Sequence, residues 1–104
     1  MQPSDSPISE IVLRIIAIEP NGNMFAPGTA TRIAGFLALS AKHVITDFLN
    51  RYGFEKENNK IIPKFGIQAI QILKPPGLYA IWDITYLWLS PYSDAAFLHL
   101  VPYC

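Results

Sequence analysis

A single cysteine, Cys104, stands at the last of 104 positions, so no disulfide can form within the chain and a small secreted fold stapled by disulfides is excluded. Charge is also scarce: only 15% of residues are charged, eight basic against eight acidic. Phosphate backbones demand clustered excess Lys and Arg, so nucleic acid is not an expected partner. No apolar run reaches the roughly 20 residues that a spanning helix needs, and no membrane partner is expected. The opening MQPSDSPISE has no basic residue and no apolar centre, unlike a signal peptide or anchor, which makes the cytoplasm the default expectation for location. Two histidines and one terminal cysteine offer no metal-ligand spacing; no metal and no cofactor are expected. No internal repeat is visible.

Hydrophobic residues make up 51% of the chain, enough for one well-formed core and no more than one domain. Residues 1–9, with two prolines and three serines, read as a flexible lead-in, and the folded domain is expected over residues 10–104. Residues 11–18, IVLRIIAI, are rich in β-branched side chains and read as a strand, stopped by Pro20 and Asn21-Gly22-Asn23. Residues 24–27 read as loop, then residues 28–33 and 36–39 as two strands of a hairpin around Gly35. A helix is predicted over residues 41–51, with Ser40 capping its first turn and Gly53 stopping it. The polar stretch 53–60 reads as an exposed loop. Residues 67–73 form a strand, Pro75-Pro76-Gly77 a turn, and residues 78–89 the longest strand, with Trp82, Ile84, Tyr86 and Trp88 expected on its core face. A last strand covers residues 95–101. Many short strands, one helix and frequent turns give an all-β barrel or sandwich.

The stretch FLALSAKHVITD, residues 36–47, organises the rest. An apolar strand ends in small residues and His43 opens the helix, held by a rigid element and displayed at the end of a sheet. The helical pattern alone places His43 on a wet face with Asp47, Asn50 and Arg51, opposite Val44, Ile45, Phe48 and Leu49.

Two segments give that histidine a context. GTATRIAGFLALSAKHV, residues 28–44, resembles the segment of trypsin-like serine peptidases that leads through small residues to the catalytic histidine. SPYSDAAFLHL, residues 90–100, is similar to the later segment in which an aspartate precedes a small and apolar strand. They occur in the family's order, and the likeness is closest to its shorter bacterial branch, from about residue 11 onward. The resemblance implies the N-terminal barrel of the two-barrel fold: a six-stranded antiparallel Greek-key barrel with one short helix after the third strand. It also implies His43 as general base and Asp94 as the aspartate that orients it, in a mechanism whose logic is that of the family.

Other residues fit these roles less well. Asp47 could meet His43 only as a helix-surface pair. Asp83 lies in an aromatic strand, where an outward position suffices, and His99 has no acidic neighbour in sequence, as in structural histidines. The nucleophile has no candidate: Ser4, Ser6, Ser9, Ser40, Ser90 and Ser93 lack a Gly-Asp-Ser-Gly-Gly-like setting, and Cys104 has no glycine-rich turn around it. The resemblance departs in detail as well, since Ser40 and Lys42 replace the family's usual Thr and Ala, and Ala96-Phe97 varies the segment after the aspartate.

The expectation is therefore a truncated trypsin-like serine endopeptidase, carrying the His and Asp of a triad without its Ser and inactive alone. The alternative is a non-catalytic barrel that binds a peptide or protein partner. In the first case the partner is a peptide or protein substrate once a second barrel is supplied, and the uncovered inter-barrel face favours self-association.

Overall fold

The computed structural model describes residues 12–73 and 78–103. The lead-in at residues 1–9, the turn at 75–77 and Cys104 lie outside the described residues.

Among the described residues, eight strands and one helix follow in the order β1 (Val12–Ile18), β2 (Met24–Ala34), β3 (Leu37–Ser40), α1 (Lys42–Tyr52), β4 (Phe54–Glu57), β5 (Lys60–Pro63), β6 (Gly66–Leu73), β7 (Leu78–Leu89) and β8 (Ala96–Pro102). Six of them close into an antiparallel barrel: β1 pairs with β2, β2 with β3, β3 with β8, β8 with β7, β7 with β6, and β6 returns to β1. The spatial order β6-β1-β2-β3 puts the fourth barrel strand beside the first, which is the Greek key. Closure leaves the ring without a free edge.

Alternation fills the interior from every wall, as a barrel of this size requires. Leu13 and Ile15 of β1, Ala30 of β2, Ala38 of β3, Ala69 of β6, Leu87 of β7, and Leu98 and Leu100 of β8 are buried together. Ile45 and Leu49 bring the apolar face of α1 onto the same cluster. The opposite face of α1 carries the exposed His43, Asp47, Asn50 and Arg51, as its pattern predicts. Gly53, at φ 95°, stops the helix with its N–H donating to the Leu49 carbonyl at 2.9 Å.

Four local expectations are corrected. Residues 24–27 are not a loop but the start of β2, with Met24 opposite Ile18 and Phe25 opposite Ala17. The register slips between Ile15 and Ala17, so that Ala26 and Pro27 fall at an irregularity where the missing proline N–H breaks no regular ladder. The polar stretch after α1 is the β4–β5 hairpin, Glu57 opposite Lys60, with Asn58 at φ 57° in the left-handed region that asparagine tolerates. This hairpin joins the barrel through Ile61 opposite Leu87.

The third correction concerns β7. Trp82 and Ile84 are buried as predicted, but the register shifts at Thr85, and beyond it Leu87 points inward while Tyr86 and Trp88 turn outward. The displaced Tyr86 stacks on His99 with centroids 4.4 Å apart, and Thr85 Oγ1 lies 3.0 Å from His99 Nδ1. The fourth is the cap. Helix α1 begins at Lys42 after Ala41, no side chain of its own caps it, and the Ser40 hydroxyl donates instead to the Thr29 carbonyl at 2.8 Å.

Candidate functional site

A helix start leaves backbone N–H groups without intrahelical partners. In α1 the first two are satisfied from a distant segment: the Lys42 N–H donates to the Asp94 carbonyl at 3.2 Å, and the His43 N–H donates to Asp94 Oδ1 at 2.9 Å. Asp94 therefore caps the helix across 51 positions, and its negative charge faces the positive end of the helix dipole.

The second carboxylate oxygen reaches the imidazole. Asp94 Oδ2 lies 2.5 Å from His43 Nδ1. The two hydrogen bonds from His43, side chain first and backbone second, hold the Asp94 carboxyl below its usual range against the opposing effect of desolvation, with smaller contributions from the charges of His43 and Lys42. An ionised carboxylate only accepts, so Nδ1 must donate. The neutral ring then bears its proton on Nδ1, and Nε2 keeps a free lone pair. No other described residue hydrogen-bonds to the His43 imidazole, and the side chain is 74% exposed against 53% for Asp94. The arrangement is an oriented imidazole whose proton-accepting nitrogen faces open space.

Two strand ends build this geometry. β3 delivers α1 and β8 follows Asp94, and the two strands pair with Ser40 opposite Ala96. On the other side, the glycine at position 28 lets β2 approach the helix: a Cβ there would sit 2.9 Å from Val44 Cγ1. Beside Asp94, an open groove of about 500 Å³ is bounded by Thr29 and Thr31 of β2, Leu39 of β3, Ala41, Val44 and Ala95.

The remaining candidates are elsewhere. Asp47 pairs with Arg51 at 3.4 Å rather than with His43. Asp83 accepts a hydrogen bond from Gln68 Nε2 at 3.1 Å. His99 is occupied by Tyr86 and Thr85. Ser40 and Ser90 spend their oxygens on the backbone and on the 90–93 turn. Among the described residues, no three His, Cys, Asp or Glu side chains gather as a metal site would require, and no helix is long and apolar enough to cross a membrane.

Sequence reading met Lys42 only as a departure from the resembled family and Ser90 only as a rejected nucleophile, not as the residues that tie the Asp94 loop to the helix. The adjacency of Lys42 to His43 is the only signal the sequence offers for them. No protein-family model matches the chain, and no curated protein matches it.

Proposed function

We propose that this barrel is the His- and Asp-bearing half of a trypsin-like serine endopeptidase, with His43 as the general base and Asp94 as the residue that orients it. The observation that carries the reading is the two-point grip of Asp94 on His43, one carboxylate oxygen on Nδ1 and the other on the backbone N–H. In this chemistry the base takes a proton from a serine hydroxyl through Nε2 and returns it to the leaving amine, while the aspartate fixes the tautomer and stabilises the imidazolium. The uncovered Nε2 is suited to that exchange. The segments around the two residues, and the Greek-key barrel that joins them, support the same reading.

The nucleophile, the oxyanion donors and the pocket that selects substrate would come from a second barrel outside these residues. The test is to read the nucleotide sequence past the codon for Cys104 and express what it encodes with this chain. A Gly-x-Ser-Gly-Gly-like segment, and peptide hydrolysis lost in His43→Ala and in Asp94→Asn, are the expected results. Unrelated sequence there, or hydrolysis indifferent to His43→Ala, overturns the proposal.

A second reading, a barrel that binds a peptide or partner without cleaving it, draws on the open groove beside Asp94. Binding of peptides by a chain whose downstream sequence holds no nucleophile motif would favour it.

A further inference from the structure

We infer that Lys42 is a positioning residue: it latches the loop that carries Asp94 onto the start of helix α1, and so sets the carboxylate against His43. The loop between β7 and β8 is a small closed unit. The Ser90 N–H donates to the Ala95 carbonyl at 2.9 Å across its mouth. Inside it, Ser90 Oγ accepts from the N–H groups of Tyr92 and Ser93, both at 3.2 Å, and lies 3.0 Å from Ser93 Oγ. Such a unit moves as one body.

Lys42 holds that body at both ends. Its Nζ donates to the Ser90 carbonyl at 2.7 Å, across 48 positions, and its backbone N–H donates to the Asp94 carbonyl at 3.2 Å. The first is a short bond from a charged donor, the stronger kind. Both contacts lie one residue before His43, so the part of the helix that bears the imidazole is the part that fixes the loop.

The geometry explains why a latch matters here. Asp94 must meet Nδ1 and the His43 N–H together, and a shift of about 0.5 Å degrades a pair of this kind. Asp94 and His43 are both exposed, so no packed wall confines the carboxylate. The β3–β8 pairing at Ser40 and Ala96 seats the base of the loop, and beyond the contacts that Asp94 itself makes, the loop's side-chain tie to α1 among the described residues is Lys42. In the resembled family a small residue commonly stands at this position, so the latch is a feature of this chain.

The positioning role rests on the proposed reading of His43 as a base, but the latch can be tested without it. Hydrogen exchange by NMR at the His43 backbone amide reports the bond to Asp94 directly, whether or not the chain ever hydrolyses a peptide. In Lys42→Met the His43 amide is expected to exchange about tenfold faster or more, as for loss of a charge-assisted hydrogen bond. The Gly53 amide, bonded to Leu49 at the far end of the same helix, is expected to stay within about twofold, and Lys42→Arg to restore protection at His43. Should Lys42→Met fail to fold, Ser90→Ala loosens the loop from within and carries the same expectation. An unchanged His43 amide in a folded variant, or equal acceleration at Gly53, overturns the inference. Absence of turnover by the parent in the two-barrel assay, with protection at the His43 amide lost in Lys42→Met, would instead count against the peptidase reading and leave the latch standing.

Discussion

Asp94 holds His43 at two points, through Oδ2 on the imidazole Nδ1 at 2.5 Å and through Oδ1 on the backbone N–H at 2.9 Å. One carboxylate thus orients a side chain and caps a helix. The two tasks can be separated by substitution. Asn at position 94 keeps an oxygen that can accept from the His43 N–H, whereas Ala keeps none. Asp94→Ala is expected to lower the melting temperature more than Asp94→Asn, and both to remove the downfield Nδ1 proton resonance of His43. Equal melting temperatures for the two variants would mean that the cap contributes nothing.

The same pair sets a pH dependence. The folded-state pKa of Asp94 lies below its ordinary value of 3.8, so the unfolded chain binds a proton first as pH falls. The pair's contribution to stability is therefore fully present above the unfolded pKa and lost as pH drops through the lowered folded value. Urea midpoints measured from about pH 6 down to about pH 2 should fall more steeply in the parent than in Asp94→Asn. Parallel curves would contradict the pairing.

Gly28 and Val44 offer a second test, of how the helix is seated. A Cβ at position 28 would lie 2.9 and 3.1 Å from the two Val44 methyl carbons. Gly28→Ala is expected to cost about 1–3 kcal/mol, since either β2 or α1 must shift. Val44→Ala removes the opposing methyls, and the double variant should recover about 1 kcal/mol or more of that cost in a denaturation cycle. Additive losses would show that the strand, not the helix, absorbs the clash.

Much of this architecture is legible in the residues, and the failures have physical causes. The barrel strands announce themselves through β-branched and apolar runs, and the histidine and aspartate through their flanking segments. The β4–β5 hairpin does not, because all four residues of β4 are exposed and burial leaves no period to read. Asn58-Asn59 was its one available signal, since asparagine accepts the left-handed turn. The outward turn of Tyr86 and Trp88 is hidden for a different reason: strict alternation along residues 78–89 assumes an unbroken ladder, and the ladder breaks at Thr85. Nothing local predicts a lysine bonded to a carbonyl 48 positions away.

That break yields a prediction of its own. Deleting Thr85 would remove the extra residue and leave a regular ladder in which Ile84 and the fully buried Leu87 stay inward and Tyr86 and Trp88 stay outward. No side chain changes face, so the deletion is expected to cost less than about 3 kcal/mol. Thr85→Ala, which keeps the extra residue and loses only the contact to His99, should cost less than about 1.5 kcal/mol. A much larger loss for the deletion would show that the strand needs the inserted residue for more than the change of parity between Ile84 and Leu87.

Catalytically, the chain alone is expected to be silent. A base and its aspartate accelerate nothing without a nucleophile and oxyanion donors, and the serines at 40 and 90 are committed to other bonds. Purified residues 1–104, assayed against ester and peptide substrates, should show no turnover. Turnover abolished by His43→Ala would reveal a nucleophile elsewhere in the chain, and turnover that survived it would point to a different mechanism.

The same chain is expected to associate. In the resembled fold two barrels pack together, and a lone one leaves apolar surface uncovered. Phe36 at the β2–β3 turn is 56% exposed, with neighbouring Ile33 at 48% and Tyr103 at 56%. Phe36 leans edge-on against Trp82, which also carries the Arg32 guanidinium 4.6 Å above its ring, and Tyr103 is tied to β7 by its N–H on the Ile81 carbonyl. Phe36 and Arg32 meet on Trp82 at the end of β3 opposite the one that leads into α1, and exposed apolar side chains there favour dimers or larger assemblies in water. Light scattering over a concentration series should show growth in mass, reduced in Phe36→Ser. Because Phe36 is more than half exposed, that substitution should leave the melting temperature within a few degrees, so that lost association cannot be attributed to unfolding. A stable monomer at high concentration would mean that this end of the barrel is soluble as it stands, and equal association by Phe36→Ser would place the contact on another face.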